Sequence, residues 1–289
     1  MPPHHHAALL RCCARAGARA LLLPSKATGR PQQLVRVGTK RPRQQPPMLS
    51  LQHQQHSTHA TAATSAAAKA AAKAAAAKAE PPPAAPDFDW EALLAEKLVW
   101  EREDPELVKD LRSDHAGETG AVWIYKGASA AMRLLGDEGR FSEGARAFVA
   151  AHQRTEEQHL AYFDRLLDPP KRSKLLPLWR ASGFALGFFP TAIGGERALF
   201  ATVEAVETFV EVHYLEHIRP LASRPPGSPH HHKELLKLLR HCCADEVHHR
   251  DDARQRWLAP GEERPLWARL WAAVVAKGSQ AAVAVCRNV

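Results

Sequence analysis

The chain has 289 residues, enough for one large domain or two small ones, and its 39 Lys and Arg outnumber its 31 Asp and Glu. That excess sits at one end: twelve of the basic residues and none of the acidic ones precede Glu80, so the remainder holds more acid than base. The net charge of +8 therefore does not mark a nucleic-acid binder. Five cysteines, four of them in the adjacent pairs 12–13 and 242–243, make no disulfide framework and suit a reducing compartment.

Residues 1–43 have the composition of an organelle transit peptide, rich in Arg, free of acid, with Ala and Leu early. Arg11, Arg15 and Arg19 recur every fourth residue beside Leu9, Leu10 and Leu21 to Leu23, and a mitochondrial address is preferred over a plastid one. Residues 44–87 pass from Gln and His through an Ala/Lys stretch to the proline-rich Pro81 to Pro86, which reads as a linker. The histidine runs at 4–6 and 230–232 read as solvated loop residues rather than metal sites. Folded sequence is expected over 88–289, with no apolar run long enough to span a bilayer.

Gly and Pro punctuation divides that domain into predicted helices at 104–134, 142–167, 174–193, 196–222, 230–258 and 264–286, and no segment shows strand alternation. The expected class is all-α: a four-helix bundle with two additional apolar helices. Steps of three and four along each long helix give one inward stripe. The first stripe runs Leu107, Leu111, Asp114, Glu118, Ala121, Tyr125, Ala128, Met132. The second runs Phe148, His152, Glu156, His159, Phe163, Leu166. The fourth helix gives Phe200, Val203, Glu207, Val210, Tyr214, His217, Leu221, and the fifth gives Leu235, Leu239, Cys242, Glu246, His249, Ala253.

Two of these stripes carry Glu-x-x-His at mid-height and the other two carry one Glu each. A charged group in a core is costly unless it is paired or binds metal. Glu118, Glu156, His159, Glu207, Glu246 and His249 together form the ligand pattern of a two-metal carboxylate centre. Carboxylates bridge and neutralise two cations, while the imidazoles favour a transition metal over Mg or Ca. Glu204 and Glu211 compete with Glu207, which is preferred because Val203, Val210 and Tyr214 share its face. Spacing likewise prefers Glu156 over Glu157 and His249 over His248.

The segments DHAGETGA around Glu118, PLWRASGFALG from Pro177, VEAVETFVEVHYLEHIRPL around Glu207 and DEVHHRD around Glu246 resemble the demethoxyubiquinone hydroxylases of ubiquinone biosynthesis, from about Leu111 to the C-terminus. The resemblance implies a ferritin-like fold and a peripheral enzyme on the matrix side of the mitochondrial inner membrane. It also implies two iron ions held by the six residues above, and hydroxylation of a polyprenylated benzoquinol with dioxygen and NADH. Expected partners are the membrane surface, a lipid-binding accessory protein and other ubiquinone-biosynthesis proteins. By the same resemblance His213 and Tyr214 help electrons reach the metals and Asp251 orients a ligand histidine. A core Tyr214 and a solvated Asp251 are the plainer alternatives.

Two positions depart from that family: Gln280 and Ala284 stand where an Arg and a Tyr associated with the nicotinamide are expected, and an insertion lies around Asp137 to Gly144. The helix over 175–193 is nearly all apolar, follows Lys171, Arg172 and Lys174, and is interrupted by Pro190. It reads as a membrane-interface helix anchored by Trp179, with a buried core helix as the alternative. A quinol oxidase with the same ligands and a non-catalytic scaffold are the competing functions.

Overall fold

A computed structural model describes residues 87–136, 139–228 and 230–289. The transit-peptide expectation over 1–43, and the linker expectation except for Asp87, lie outside them. Among the described residues there are six α-helices and no strand: α1 Trp90–Glu103, α2 Pro105–Leu135, α3 Glu143–Leu166, α4 Leu176–Ala222, α5 Lys233–Trp257 and α6 Leu266–Cys286.

The sequence reading placed no helix before residue 104, yet α1 is well specified. Asp89 caps it, accepting from Ala92 N at 3.0 Å, and Leu93 and Trp100, seven residues apart, are fully buried. Asp104 then ends α1 and caps α2, accepting from Leu107 N at 3.0 Å, with Pro105 in the first turn where its missing N–H costs nothing. Glu96 of α1 in turn accepts from Glu234 N and Leu235 N at 2.9 Å, so the short helix caps the start of α5.

Helices α2, α3, the second half of α4 and α5 form the bundle, and the four predicted stripes lie in its interior. The two segments predicted at 174–193 and 196–222 are one element, α4, broken by backbone geometry rather than by a loop. Gly195 has φ 65° and ψ −153°, a region open essentially to glycine, and it changes the chain's direction while helix continues on both sides. Pro190, expected to interrupt the helix, lies within it.

The first half of α4 lies against α2 at very short range. A Cβ on Gly183 would meet Gly120 O at 2.3 Å, and one on Gly187 would meet Ile124 O at 1.8 Å. Gly127 of α2 answers with equally little room against Phe184 O. Glycines on both sides of the crossing therefore bring the two backbones together just beyond Glu118. Helix α6 closes the same side, packing on α4 and α2; Trp271 Nε1 donates to Thr202 Oγ1 at 2.9 Å, and Arg112 holds the far end through Arg287 O at 3.3 Å.

Candidate metal centre

All six residues singled out by the stripes meet inside the bundle, and each is at most 3% exposed. They fall into two groups of four. Glu118, Glu156, His159 and Glu246 offer ligand atoms within 4.8 Å of one another, as do Glu156, Glu207, Glu246 and His249. Glu156 and Glu246 belong to both groups, and these are the two carboxylates that stand in Glu-x-x-His pairs. Each group then has one imidazole of its own and one Glu from a helix lacking the pair.

The distances show nitrogens and oxygens converging rather than pairing. His159 Nδ1 lies 3.0 Å from Glu246, 3.6 Å from Glu118 and 3.9 Å from Glu156. His249 Nδ1 lies 2.8 Å from Glu156 and 3.2 Å from Glu246. Yet Glu118 Oε2, Glu156 Oε1, Glu207 Oε2, Glu246 Oε1 and His159 Nδ1 are buried with no hydrogen-bond partner. Polar atoms left in this condition cost about 1–3 kcal/mol each, and a fold keeps so many together only where something else satisfies them. Two divalent cations would, so the residues present fit a two-metal group.

The electrostatics point the same way. Burial, with the charges of Glu246 and Glu156, pushes Glu118 up to about 8. Burial and the same two neighbours hold Glu207 well above the usual carboxylate range. Glu246 is the exception: burial raises it, but the neighbouring His159 and His249 outweigh that and bring it to about 2. Both histidines are raised despite their burial, His159 by Cys242, Asp245, Glu118 and Glu246, and His249 by Glu156 and Glu246.

The competing residues are turned elsewhere. Glu204 is buried but takes hydrogen bonds from Arg264 and from Trp257 Nε1 at 2.9 Å. Glu211 pairs with Arg250, and Glu157 lies 3.6 Å from Lys126 at the surface. The run at 230–232 is less solvated than expected: His232 is buried, with left-handed φ of 43°.

Around the cluster the outcome is mixed. Tyr214 donates its hydroxyl to Glu118 Oε1, and His213 bonds Ser113 Oγ and Asp114 instead of the cluster. Asp251 does not touch either cluster histidine. Its side chain is 49% exposed and bonds Arg250 at 2.8 Å, because a residue two beyond His249 faces the opposite side of the helix. The acid that holds a cluster histidine is Asp245, 3.1 Å from His159 Nε2, with His241 a further 3.4 Å out. Nothing local in the sequence marks that contact, which joins α3 to α5. At the other histidine, the His152 ring stands edge-on to His249 at 4.2 Å and bonds Asp252 at 3.0 Å.

A cavity of about 430 Å³ opens from the cluster. Glu118, Glu156, Glu207, Glu246 and Tyr214 form its inner end, and Ile124, Leu186, Val206, Val210, Trp271 and Val275 its apolar wall. It runs between α2, α4 and α6. Exposed Leu178, Phe189 and Ile193 on the first half of α4, and Leu266, Leu270 and Val274 on α6, give these helices an apolar outer surface. No described helix is long and apolar enough to cross a membrane. Gln280 and Ala284 both lie on the exposed side of α6.

A helical bundle with four buried glutamates and two histidines in this register, opening on an apolar cavity, has the architecture of a ferritin-like bundle, with side chains that could hold two metal ions. Residues 106–286 match the family model of ubiquinone biosynthesis protein COQ7, and the chain belongs to that family. A human NADPH-dependent 3-demethoxyubiquinone 3-hydroxylase, mitochondrial, is 36% identical over 143 residues, 49% of this chain and 60% of its own length. The Caenorhabditis elegans protein of the same name is 28% identical over 186 residues, 63% of this chain and 90% of its own. A 3-demethoxyubiquinol 3-hydroxylase of Rhodospirillum rubrum is 45% identical over 107 residues, 36% and 46% of the two chains. The chain thus spans about 60% of the length of the mouse and human relatives.

Proposed function

We propose that the chain is a di-iron monooxygenase that hydroxylates the ring of a demethoxyubiquinol with dioxygen, in ubiquinone biosynthesis. The observation that carries this reading is the pair of four-residue groups sharing Glu156 and Glu246 at the blind end of an apolar cavity. Glu156 and Glu246, common to both groups, would help to hold both irons. Glu118 with His159, and Glu207 with His249, would complete one iron each. Bound iron supplies the activation of dioxygen and accepts the electrons that activation requires.

The protein's own groups prepare that site. Asp245 fixes the His159 ring with Nδ1 inward, and the Tyr214 hydroxyl orients Glu118. The apolar wall excludes water and takes the quinol ring, while the polyprenyl tail would leave between α4 and α6 toward a membrane surface. The apolar outer faces of those helices support a peripheral position at a membrane. The relatives' names and the Arg-rich head support the mitochondrion, with the matrix face of the inner membrane as the position. The reductant is a pyridine nucleotide; the mammalian and nematode relatives are named for NADPH, where the sequence reading expected NADH.

The test is anaerobic loading of the full chain with ferrous iron, followed by dioxygen, a demethoxyquinol and a chemical reductant. About two irons per chain and a hydroxylated quinone support the reading. Two irons with water as the only oxygen product would replace it with a quinol oxidase, and failure to bind iron would end it.

A further inference from the structure

One buried acid on the α2 stripe is not part of the metal cluster. Asp114 precedes Glu118 by one helical turn and is 3% exposed. Two buried histidines of α4, themselves one turn apart, face it. Asp114 Oδ1 lies 3.2 Å from His213 Nε2 and 3.1 Å from His217 Nδ1. On its other side His217 Nε2 is 3.6 Å from Asp110, a gap that a small side-chain rotation closes. The Asp110 side chain is 21% exposed and pairs with Arg287. At the opposite end, Asp114 and His213 line the cavity that holds Glu118 and Glu207.

Packing does not account for this line of groups. A buried ion pair is a weak source of stability, and apolar side chains of like volume commonly serve as well or better. Leu111, Ile218 and Leu221 already form apolar core around it. What acid and imidazole in alternation add is conduction, because an imidazole accepts a proton on one nitrogen and releases one from the other. His217 is raised by Asp114 against the effect of its burial, and Asp114 is held at about 2 by the two histidines although burial opposes it. Asp114 thus stabilises the imidazolium that forms when His217 takes up a proton.

We propose that Asp110, His217, Asp114 and His213 form a proton relay from solvent to the metal-facing cavity. It rests on the reading that oxygen is reduced there, since each oxygen atom leaving as water takes up two protons. A proton from bulk water binds Asp110 and passes to His217 Nε2. His217 releases its Nδ1 proton to Asp114, which gives it to His213 Nε2, and His213 yields one proton to the cavity. Return of both rings to their starting tautomers leaves the relay unchanged, with one proton moved.

The experiment uses the full chain loaded with ferrous iron, mixed with dioxygen and hexaammineruthenium(II), which supplies the further electrons without protons, in weak buffer containing a pH-indicator dye. Proton uptake is expected to slow about tenfold in Asp114→Asn and His217→Gln at unchanged iron content; a positioned acid–base group can contribute more, but water leaking into the cavity supplies a slower path. In His213→Ala, added imidazole enters the cavity and restores uptake. Wild-type rates in both of the first two variants, or a slow His213→Ala that imidazole does not restore, would overturn the relay. A second measurement needs no iron: nitrogen-15 spectra of the zinc-loaded chain should show slower solvent exchange of the His213 ring proton in Asp110→Asn, and unchanged exchange counts against the proposal. Neither readout involves quinone, so a chain that passes both yet makes no hydroxylated product refutes the hydroxylase reading alone.

Discussion

Glu118 and Glu207 are glutamates whose burial and acidic neighbours, in the absence of metal, make the charged form expensive. Glu118 stands near 8 in the folded chain against its ordinary 4.5, so between those values the folded state holds a proton that the unfolded state has lost. Raised His159 and His249 act in the same direction above their ordinary 6.5. The stability of metal-free protein should therefore fall as pH rises from about 5.5 to 8, which thermal melts of chelator-treated protein would show. Metal binding needs the carboxylates free of protons, so affinity should rise over the same interval, and titrations in two buffers would register proton release. Glu207→Ala leaves the group of Glu118, Glu156, His159 and Glu246 complete, and elemental analysis should find about half the metal of the parent. Asp245→Asn removes a charged partner from His159 while keeping the cluster, and should weaken metal binding by about 10–100-fold, read by competition with a chelator.

At the scale of elements, the cavity exists because α4 changes direction at Gly195 and its first half rests on α2 through glycines. Gly187→Ala drives a methyl group into Ile124 O, so α4 must move off α2. A loss of about 1–3 kcal/mol in urea unfolding is expected, with metal content retained because no cluster residue lies on that half of the helix. The stripes of α2 to α5 were legible because burial follows the 3.6-residue period in each helix separately. α1 was not read as a helix, although the Asp89 cap and the Leu93 to Trp100 spacing signalled it. The continuity of α4 was not legible, since Gly194-Gly195 and Pro190 look in sequence like a loop and a break. Neighbouring backbone decides that glycine pair, and only packing shows that Pro190 is tolerated.

For the whole molecule, the unpaired apolar surface of α4 and α6 is the feature with consequences outside the bundle. Ile193 is 81% exposed and Leu270 60%, so replacing either with Glu disturbs the packed interior little. If this face enters a lipid surface, Ile193→Glu with Leu270→Glu should lower affinity for anionic vesicles by at least about tenfold, since burying one such side chain is worth roughly 1.5–3 kcal/mol. Co-sedimentation measures it, and an unchanged melting temperature would separate lost binding from lost folding.

The sequence by itself determined the all-helical class and the six residues that meet at the centre, because ligand spacing along a helix is a local property carried by three- and four-residue steps. It also singled out Tyr214, which touches Glu118. It could not choose the acid that orients a cluster histidine, where Asp251 was expected and Asp245 makes a contact, to His159, nor the line from Asp110 to His213. Those contacts join α2 to α4 and α3 to α5, and the rotation of one helix against another is decided only when the cores between them pack. The cavity, too, is a product of tertiary structure: three helices must approach closely enough to enclose it, and the glycines that allow the approach act only through the neighbour they meet.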